Sequence, residues 1–547
     1  MKKINTFLST ALLLISLFSC QDILEENPVG LAAADSYYAT PKGISDALNA
    51  TYSRLRVFYG QEDASFLTVP GTDMYTNGFG GVTNHPAVND YSTNFLGTDT
   101  FVTSVWNNFY VGINQANAVI NRAPAVAGLS DAEKNRILGE ARFLRALFYF
   151  HLVQQFGDIH FSLQESVGVQ TTAKRTPVAT IYEQGIVPDL QFAIANLPAK
   201  AANYGRATKA ASEALLARVQ LTRGNWAEAE ALASNVIKNY SFQLVKPYAN
   251  LWDINNDQNA EVIWSVQFTS DVLTNGDGNQ AHLFFLIDYT QNPTIVRDLA
   301  NGRAYQRFMP TNYLIKLFDQ TKDSRWEGSF KTVFFANTKG TINGKTVMPG
   351  DTAIKIVTYP VPDNVQNTAP YWYIDFNDKW VGASTITNNE IGGGQRRRFP
   401  VLKKFLDPLR ISVNAVEGRR DFIVLRLAEM YLIAGEAAWR QNKLAESATY
   451  FNVVRTRAAI SGKEKDMQVS AADINLEFIL DERGRELAGE GLRWYDLKRT
   501  GTLLTRVKQY NLDAAPNIKE MHLVRPIPQT QIDRVTNPSE FSQNPGY

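Results

Sequence analysis

Cysteine is all but missing from this chain. Cys20 is the single thiol in 547 residues, so no intramolecular disulfide can staple the fold. Long apolar runs are missing too: no segment reaches the roughly 18 uninterrupted apolar residues that a membrane helix requires. Charge of one sign is not in excess, with 55 basic against 54 acidic residues. That balance argues against a nucleic-acid binder, or any polyanion binder, working by bulk charge. Histidine is scarce, and His85, His151, His160, His282 and His522 show no metal-ligand spacing. There is no H-E-x-x-H or C-x-x-C, and Gly392-Gly393-Gly394 lacks the Lys-Ser/Thr of a phosphate loop. The turn Asn275-Gly276-Asp277-Gly278-Asn279 is the one candidate for a structural calcium ion, although it has no acidic cage. No other cofactor or metal is expected. Glycoside hydrolysis would need two facing carboxylates, which the sequence alone does not exclude.

What is present at the N-terminus accounts for the lone thiol. Lys2 and Lys3 form a positive start, residues 7–18 are mostly apolar but too short to span a bilayer, and Ser19 precedes Cys20. This is the layout of a bacterial lipoprotein signal, residues 1–19, with cleavage before Cys20 and lipid on its sulfur and new amino group. Phe18 is bulkier than the residue usual at that place. Several acyl chains on one residue anchor a protein stably where a single chain does not. Cys20 is therefore the expected lipid anchor, and the mature chain a soluble body tethered to a membrane. At 44% hydrophobic it can bury a sizeable core.

From residue 40 to about 238 the pattern is helical. Leu144, Leu147, Phe148 and Leu152 recur at helical spacing, predicting one long helix over 137–156 that Gly157-Asp158 ends. The segments 210–239 and 427–457 align on Gly224-Asn225-Trp226 and Asn442-Lys443-Leu444. Each reads as helix, tight turn and second helix with small residues at the crossing, resembling a tetratricopeptide repeat. Being far apart in sequence, they predict a scaffold rather than a continuous solenoid. Between 241 and 406 Gly, Asn, Asp, Thr and Pro are frequent. Short strands are expected over 262–268 and 352–359, with turns at Asn343-Gly344 and Pro349-Gly350. A helical stretch resumes over 422–439. The expected organisation is a helical part over 20–240 and a C-terminal part over 241–547. The latter divides into an irregular ligand-binding insertion, 241–406, and a second repeat with a closing motif, 407–547.

That motif runs Ile479-Leu480-Asp481-Glu482-Arg483-Gly484-Arg485-Glu486-Leu487 and on through Glu490-Gly491-Leu492-Arg493-Trp494-Tyr495-Asp496-Leu497-Lys498-Arg499. Ser470 with Asp473 reads as a capping box for its helix. Its charges read as partners of one another at a helix–loop junction, not as an acid/base site. Glu140-Ala141-Arg142-Phe143-Leu144-Arg145, Gln155-Phe156-Gly157-Asp158, Trp106-Asn107-Asn108 and the ending Gln543-Asn544-Pro545-Gly546-Tyr547 accompany it. Together these segments resemble the SusD/RagB family of outer-membrane nutrient-binding lipoproteins, from Cys20 to Tyr547. The resemblance implies a mainly α, SusD-like fold: four tetratricopeptide-like helix pairs as scaffold, with a large irregular insertion rich in loops and short strands. It implies a partner, a SusC-like TonB-dependent transporter over whose mouth the lipoprotein acts as a lid. It implies a place on the cell outer membrane, lipid-anchored and facing the extracellular side, with Asp22, Glu25 and Glu26 as an export signal or simply a solvated tether. It implies non-catalytic capture of oligosaccharide or polysaccharide for import. The alternatives are a peptide-binding lid of the same architecture and a lipid-anchored hydrolase.

Sugar capture needs aromatic faces for the C–H patches of the rings, and amides, carboxylates or Arg for the hydroxyls. Two regions offer both. The loop over 71–80 carries Asp73, Tyr75 and Asn77, followed by Tyr91, and matches where the family places polar ligand contacts. The insertion carries Tyr371, Trp372 and Trp380, with Tyr289 and Arg307 as outlying candidates. In a strand Tyr371 and Tyr373 share one face and Trp372 takes the other, and either face could be core. Asp73 and Trp372 rank first. Trp226, Trp439 and Trp494 read as packing residues, and Arg396-Arg397-Arg398 as a solvated loop able to meet anionic groups.

Overall fold

The structure, a computed structural model, describes residues 34–79, 85–271, 273–376 and 396–547. Cys20 and its signal, Trp380 and the Gly392-Gly393-Gly394 run lie outside the described residues.

Among the described residues, eight helices make the scaffold: α1 (Pro41–Ser53), α2 (Thr100–Arg122), α3 (Asp131–Phe156), α4 (Val187–Asn196), α5 (Lys209–Arg223), α6 (Trp226–Asn239), α7 (Leu427–Arg440) and α8 (Leu444–Ala458). Each packs on the next in that order, which gives four consecutive helix pairs. The separation of the two repeat segments in sequence is therefore not a separation in space. Helix α6 lies along α7, so the expectation of an interrupted scaffold gives way to one unbroken stack. Across this junction Lys443 and Gln441 donate to Glu230 at 2.7 and 2.8 Å, and Arg218 forks onto Glu429 at 2.8 and 2.6 Å. Small residues permit the close crossings. A Cβ on Gly435 would stand 2.8 Å from the Phe451 ring, and one on Gly112 2.7 Å from that of Phe148.

Helix α3 contains the predicted apolar stripe but begins at Asp131, because Ser130 and Glu133 form a capping box there. Gly157, at φ 72°, ends it. Leu144, Leu147, Phe148 and Leu152 are buried, so this helix is the spine of the N-terminal half.

Among the described residues, eleven short strands make up small sheets outside the stack: β1 (Tyr75–Asn77), β2 (Val262–Val266), β3 (Phe308–Pro310), β4 (Phe330–Lys331), β5 (Val333–Phe335), β6 (Gly340–Ile342), β7 (Lys345–Val347), β8 (Thr352–Val357), β9 (Trp372–Asp375), β10 (Val401–Leu402) and β11 (Phe422–Arg426). Strand β1 pairs with β3, β4 with β10, β2 with β11, and β6 with β7. The β6–β7 hairpin turns through Asn343 and Gly344, both left-handed, as an Asn-Gly pair favours. The three-stranded sheet runs β5–β8–β9. The 422–439 stretch divides where helical periodicity alone does not: Phe422-Ile423-Val424 has strand chemistry, pairs with β2, and the helix starts only at Leu427. The β2–β11 pair thus clasps the entry and exit of the insertion.

The closing motif folds into α9 (Leu476–Glu486), α10 (Arg493–Arg499) and α11 (Leu503–Tyr510). Ser470 and Asp473 do form a capping box, but on the separate turn Ala471–Asp473. The cap of α9 is Asn475, which accepts from the Phe478 amide at 2.9 Å. Its charges pair, as expected, and they do so in the interior. Arg325 reaches Asp323, Glu482 and Glu486 at 2.8, 2.8 and 3.0 Å, and Arg426 reaches Glu261, Glu486 and Glu490 at 2.9, 2.7 and 2.8 Å. Burial pushes the Glu486 carboxyl up, but Arg457, Arg426 and Arg325 overcome it and hold the group at about 2. This network ties the insertion to β11, α8 and α9. Trp494 is fully buried, and the Arg440 guanidinium lies 5.1 and 4.9 Å from the rings of Trp226 and Trp439. All three tryptophans are packing residues.

Candidate functional site

The 71–79 loop is stitched into the body before it reaches the surface. The Asp73 carboxylate accepts from Arg493 Nε and Nη2 at 2.8 and 2.7 Å and from Arg506 Nε at 2.7 Å, with no exposed surface of its own. Burial pushes its pKa up, yet the two guanidiniums hold it below the ordinary carboxylate value. Tyr75 is buried with its ring 5.4 Å from Phe285, and Tyr91 is buried with its hydroxyl on the Gly71 carbonyl at 2.7 Å. Asn77 is buried too, and its carbonyl accepts from Arg396 at 2.7 Å. Tyr289 donates to the Gly302 carbonyl at 2.5 Å from the interior. These five sequence candidates therefore shape the ground beneath the surface and present no side-chain face to solvent. Polar and aromatic character alone could not separate such anchors from contact residues.

The surface itself is built from the next residues along. Strand β1 pairs with β3, and Gly78 continues the ladder by donating to the Arg307 carbonyl at 2.8 Å. The chain runs on from there to Phe79, which is half-buried. Arg307 is paired with Glu62 at 2.6 Å, and its guanidinium lies 5.0 Å from the Tyr305 ring. Arg396 is no solvated loop residue: it is buried and forks onto Asp513 at 2.6 and 2.8 Å. That anchor aims the two arginines after it. Arg397 sits 3.3 Å from the centre of the Phe79 ring, and Arg398 sits 4.1 Å from that of Trp372. Among the described residues no carboxylate pairs with either. Burial and the neighbouring Arg397 both lower the pKa of Arg398. The two regions singled out in the sequence thus meet here, through arginines that the sequence assigned to solvent.

The β5–β8–β9 sheet has one face in the core and one outside. Phe334, Ile354, Ile356 and Ile374 point inward, and Trp372, in register with Ile354, packs partly against the same core. Val333, Lys355 and Tyr373 line up across the outer face. Tyr371 and Tyr373 share it, their ring centres 5.5 Å apart, as strand alternation requires. The Tyr373 hydroxyl lies 3.3 Å from that of Tyr359, which is 53% exposed, and Lys355 Nζ lies 5.6 Å from the Tyr373 ring. Tyr373 was legible from the alternation that gave Tyr371. Tyr359, next to Pro360, carries no such signal.

The donor set of the 275–279 turn does not fit a calcium ion. Asn275 Oδ1 accepts from the Thr269 amide and Asn279 Oδ1 from the Ala281 amide, so both side-chain oxygens face the backbone. Among the described residues no cluster of three or more His, Cys, Asp or Glu could hold a metal, and no helix is long and apolar enough to cross a membrane.

A SusD family model matches residues 260–547, more than half of the chain, and a second, described as starch-binding associating with outer membrane, matches residues 62–221. The chain belongs to the SusD family. Curated relatives include the SusD-like protein P25 of Formosa agariphila, 27% identical over 570 aligned residues that cover all of both chains. Another is the starch-binding protein SusD of Bacteroides thetaiotaomicron, 25% identical over 450 residues, 77% of this chain and 74% of that one. Solved SusD-like structures share the fold. A laminarin-binding SusD-like protein superposes with a TM-score of 0.69 at 23% identity, covering 93% of this chain and all of the other. A surface glycan-binding protein A from Bacteroides fluxus gives 0.68 at 18% identity, with 93% and 100% covered. The SusD fold accounts for the stack of helix pairs with its irregular remainder packed alongside.

Proposed function

We propose that this SusD-family protein is a lipoprotein of the cell outer membrane, anchored through Cys20 and facing outward. It captures a glycan without chemistry and passes it to a SusC-like TonB-dependent transporter. The observation that carries the reading is the meeting of half-exposed aromatic rings with guanidiniums: Phe79 under Arg397 and Trp372 under Arg398, with the Tyr371–Tyr373 face on the same sheet. Rings of this kind stack on the C–H faces of sugars, and guanidiniums donate to hydroxyls without transferring a proton. Capture asks for nothing more reactive. The family description and the relatives named for starch and laminarin support a carbohydrate ligand.

The test is binding of the protein lacking residues 1–20 to a panel of neutral and charged polysaccharides, with peptides as a second panel. One glycan class is expected to bind, with affinity falling at least about tenfold, or 1.4 kcal/mol, in Trp372→Ala. Release of shorter sugars would make the protein a hydrolase, and binding confined to peptides would make it a peptide lid.

A further inference from the structure

A cleft of about 460 Å³ opens beside the outer face of the β5–β8–β9 sheet, lined among others by Lys331, Lys355, Lys403, Glu327, Gln320 and Tyr359. Trp326, Phe330 and Ile356 are buried beneath it. Its volume falls within the range of small-molecule sites, about 300–1,000 Å³. Cations outnumber anions here: Lys355 and Lys403 line it against the single lining carboxylate of Glu327, and Lys331 adds its charge at the wall with its ammonium turned to Asn301. Asp298 lies behind Lys331 and is engaged by Asn301 and Asn337. None of the three lysines makes an ion pair among the described residues. Lys331 is steadied by Asn301 Oδ1 at 2.5 Å and lies 4.5 Å from the Phe334 ring.

We propose that this cleft is a carbohydrate subsite for an anionic substituent, a sulfate or a carboxylate carried on a sugar. Half-buried cations that outnumber the anions near them repel one another in the free protein, and a bound anion relieves that repulsion. The titration behaviour agrees. Burial draws Lys331 down to about 8 against the pull of Asp298, with Lys403 near enough to repel it. Burial also lowers Lys403, opposed by Glu327. Each ammonium brings three donors, and hydrogen bonds from charged donors to anionic oxygens are about twice as strong as neutral ones.

The cleft also leads into an aromatic surface. Tyr359 lines it and touches Tyr373 at 3.3 Å, and Tyr373 neighbours Tyr371. Lys355 lines the cleft and faces the Tyr373 ring. A sugar stacked on Tyr371 and Tyr373 therefore places its neighbour among the lysines. Gln320 donates to Thr358 at the same wall, which supplies an amide and a hydroxyl for sugar hydroxyls. This cationic patch is local, and the near-neutral balance of the whole chain does not oppose it. The subsite adds to the glycan reading above and rests on it only for the ligand being a carbohydrate.

The experiment titrates the chain lacking residues 1–20 with dextran sulfate, polygalacturonate and unmodified dextran. The variants are Lys355→Gln with Lys403→Gln, Tyr359→Ala, and a control, Lys463→Gln with Lys465→Gln, that removes the same charge from exposed positions elsewhere. The wild type is expected to bind at least one anionic polymer tenfold or more tighter than dextran. The cleft variants are expected to lose that preference and the control to keep it. Dextran sulfate against polygalacturonate separates sulfate from carboxylate. Equal binding by wild type and cleft variants, or equal loss in the control, overturns the proposal. Neutral-glycan binding that depends on Trp372 with no anionic preference overturns the subsite alone. Failure to bind any glycan overturns both.

Discussion

Asp73 distinguishes a contact residue from an anchor by measurement. Its carboxylate accepts three hydrogen bonds from Arg493 and Arg506, side chains that are 8% and 4% exposed. In Asp73→Asn the shape is kept and the charge is lost. Arg506 retains Glu477 and Asp481, whereas Arg493 is left with the Leu480 carbonyl. Removing one partner of a buried pair costs about 3–5 kcal/mol. An unfolding entropy of about 2.1 cal/mol/K per residue gives a chain of this size roughly 1 kcal/mol/K, so the melting temperature should fall by about 3–5 °C. The assay is thermal and urea unfolding, with glycan binding measured well below the transition. Arg493→Met in the Asp73→Asn background should cost less than the two single changes added together, since it removes the stranded charge. An unchanged melting temperature with glycan binding abolished would refute the reasoning and make Asp73 a ligand contact.

The buried carboxylates of α9 predict an acid limit. Glu486 is held at about 2 and Glu482 well below its ordinary value, each raised by burial and then lowered further by its arginines. Because the folded values lie below the unfolded ones, this stabilisation is fully present above about pH 4.5 and is lost as pH falls toward 2, which urea midpoints across that window will read. Gly78→Ala would bring a Cβ to 2.2 Å from the Gln306 carbonyl oxygen and so force β1 from β3. A loss of about 1–3 kcal/mol is expected, with weakened glycan binding through the displaced Phe79, read by thermal unfolding beside a binding titration.

The scaffold was largely legible because its signals are local and periodic. The spacing of Leu144, Leu147, Phe148 and Leu152, and the glycines that end helices, state themselves within a few residues. Strand alternation likewise placed Tyr371 with Tyr373 and against Trp372. What was not legible depends on partners far away in the chain. Nothing near Asp73 announces Arg493 and Arg506, more than 400 positions later, so a buried anchor read as a polar contact. Arg396 read as solvated because its partner, Asp513, stands 117 positions further on. The division of 422–439 into strand and helix rests on β2, about 160 residues earlier, whose pairing no local pattern encodes.

The β2–β11 clasp has a consequence for how such proteins diverge. Because Val266 pairs with Phe422, the chain leaves and re-enters the helical stack at a single point, and the 155 or so residues between them begin and end side by side. Closing a loop that long costs only about 3 kcal/mol more than closing a tight turn, because the cost grows with the logarithm of length. Lengthening, shortening or replacing the recognition segment is therefore a change of contents within a fixed frame, provided that Arg325, Arg396 and strand β3, which bind it to α9, Asp513 and β1, are kept. A graft cut at these two strands tests it directly: one scaffold could be furnished with the binding surface of another and still close its fourth helix pair.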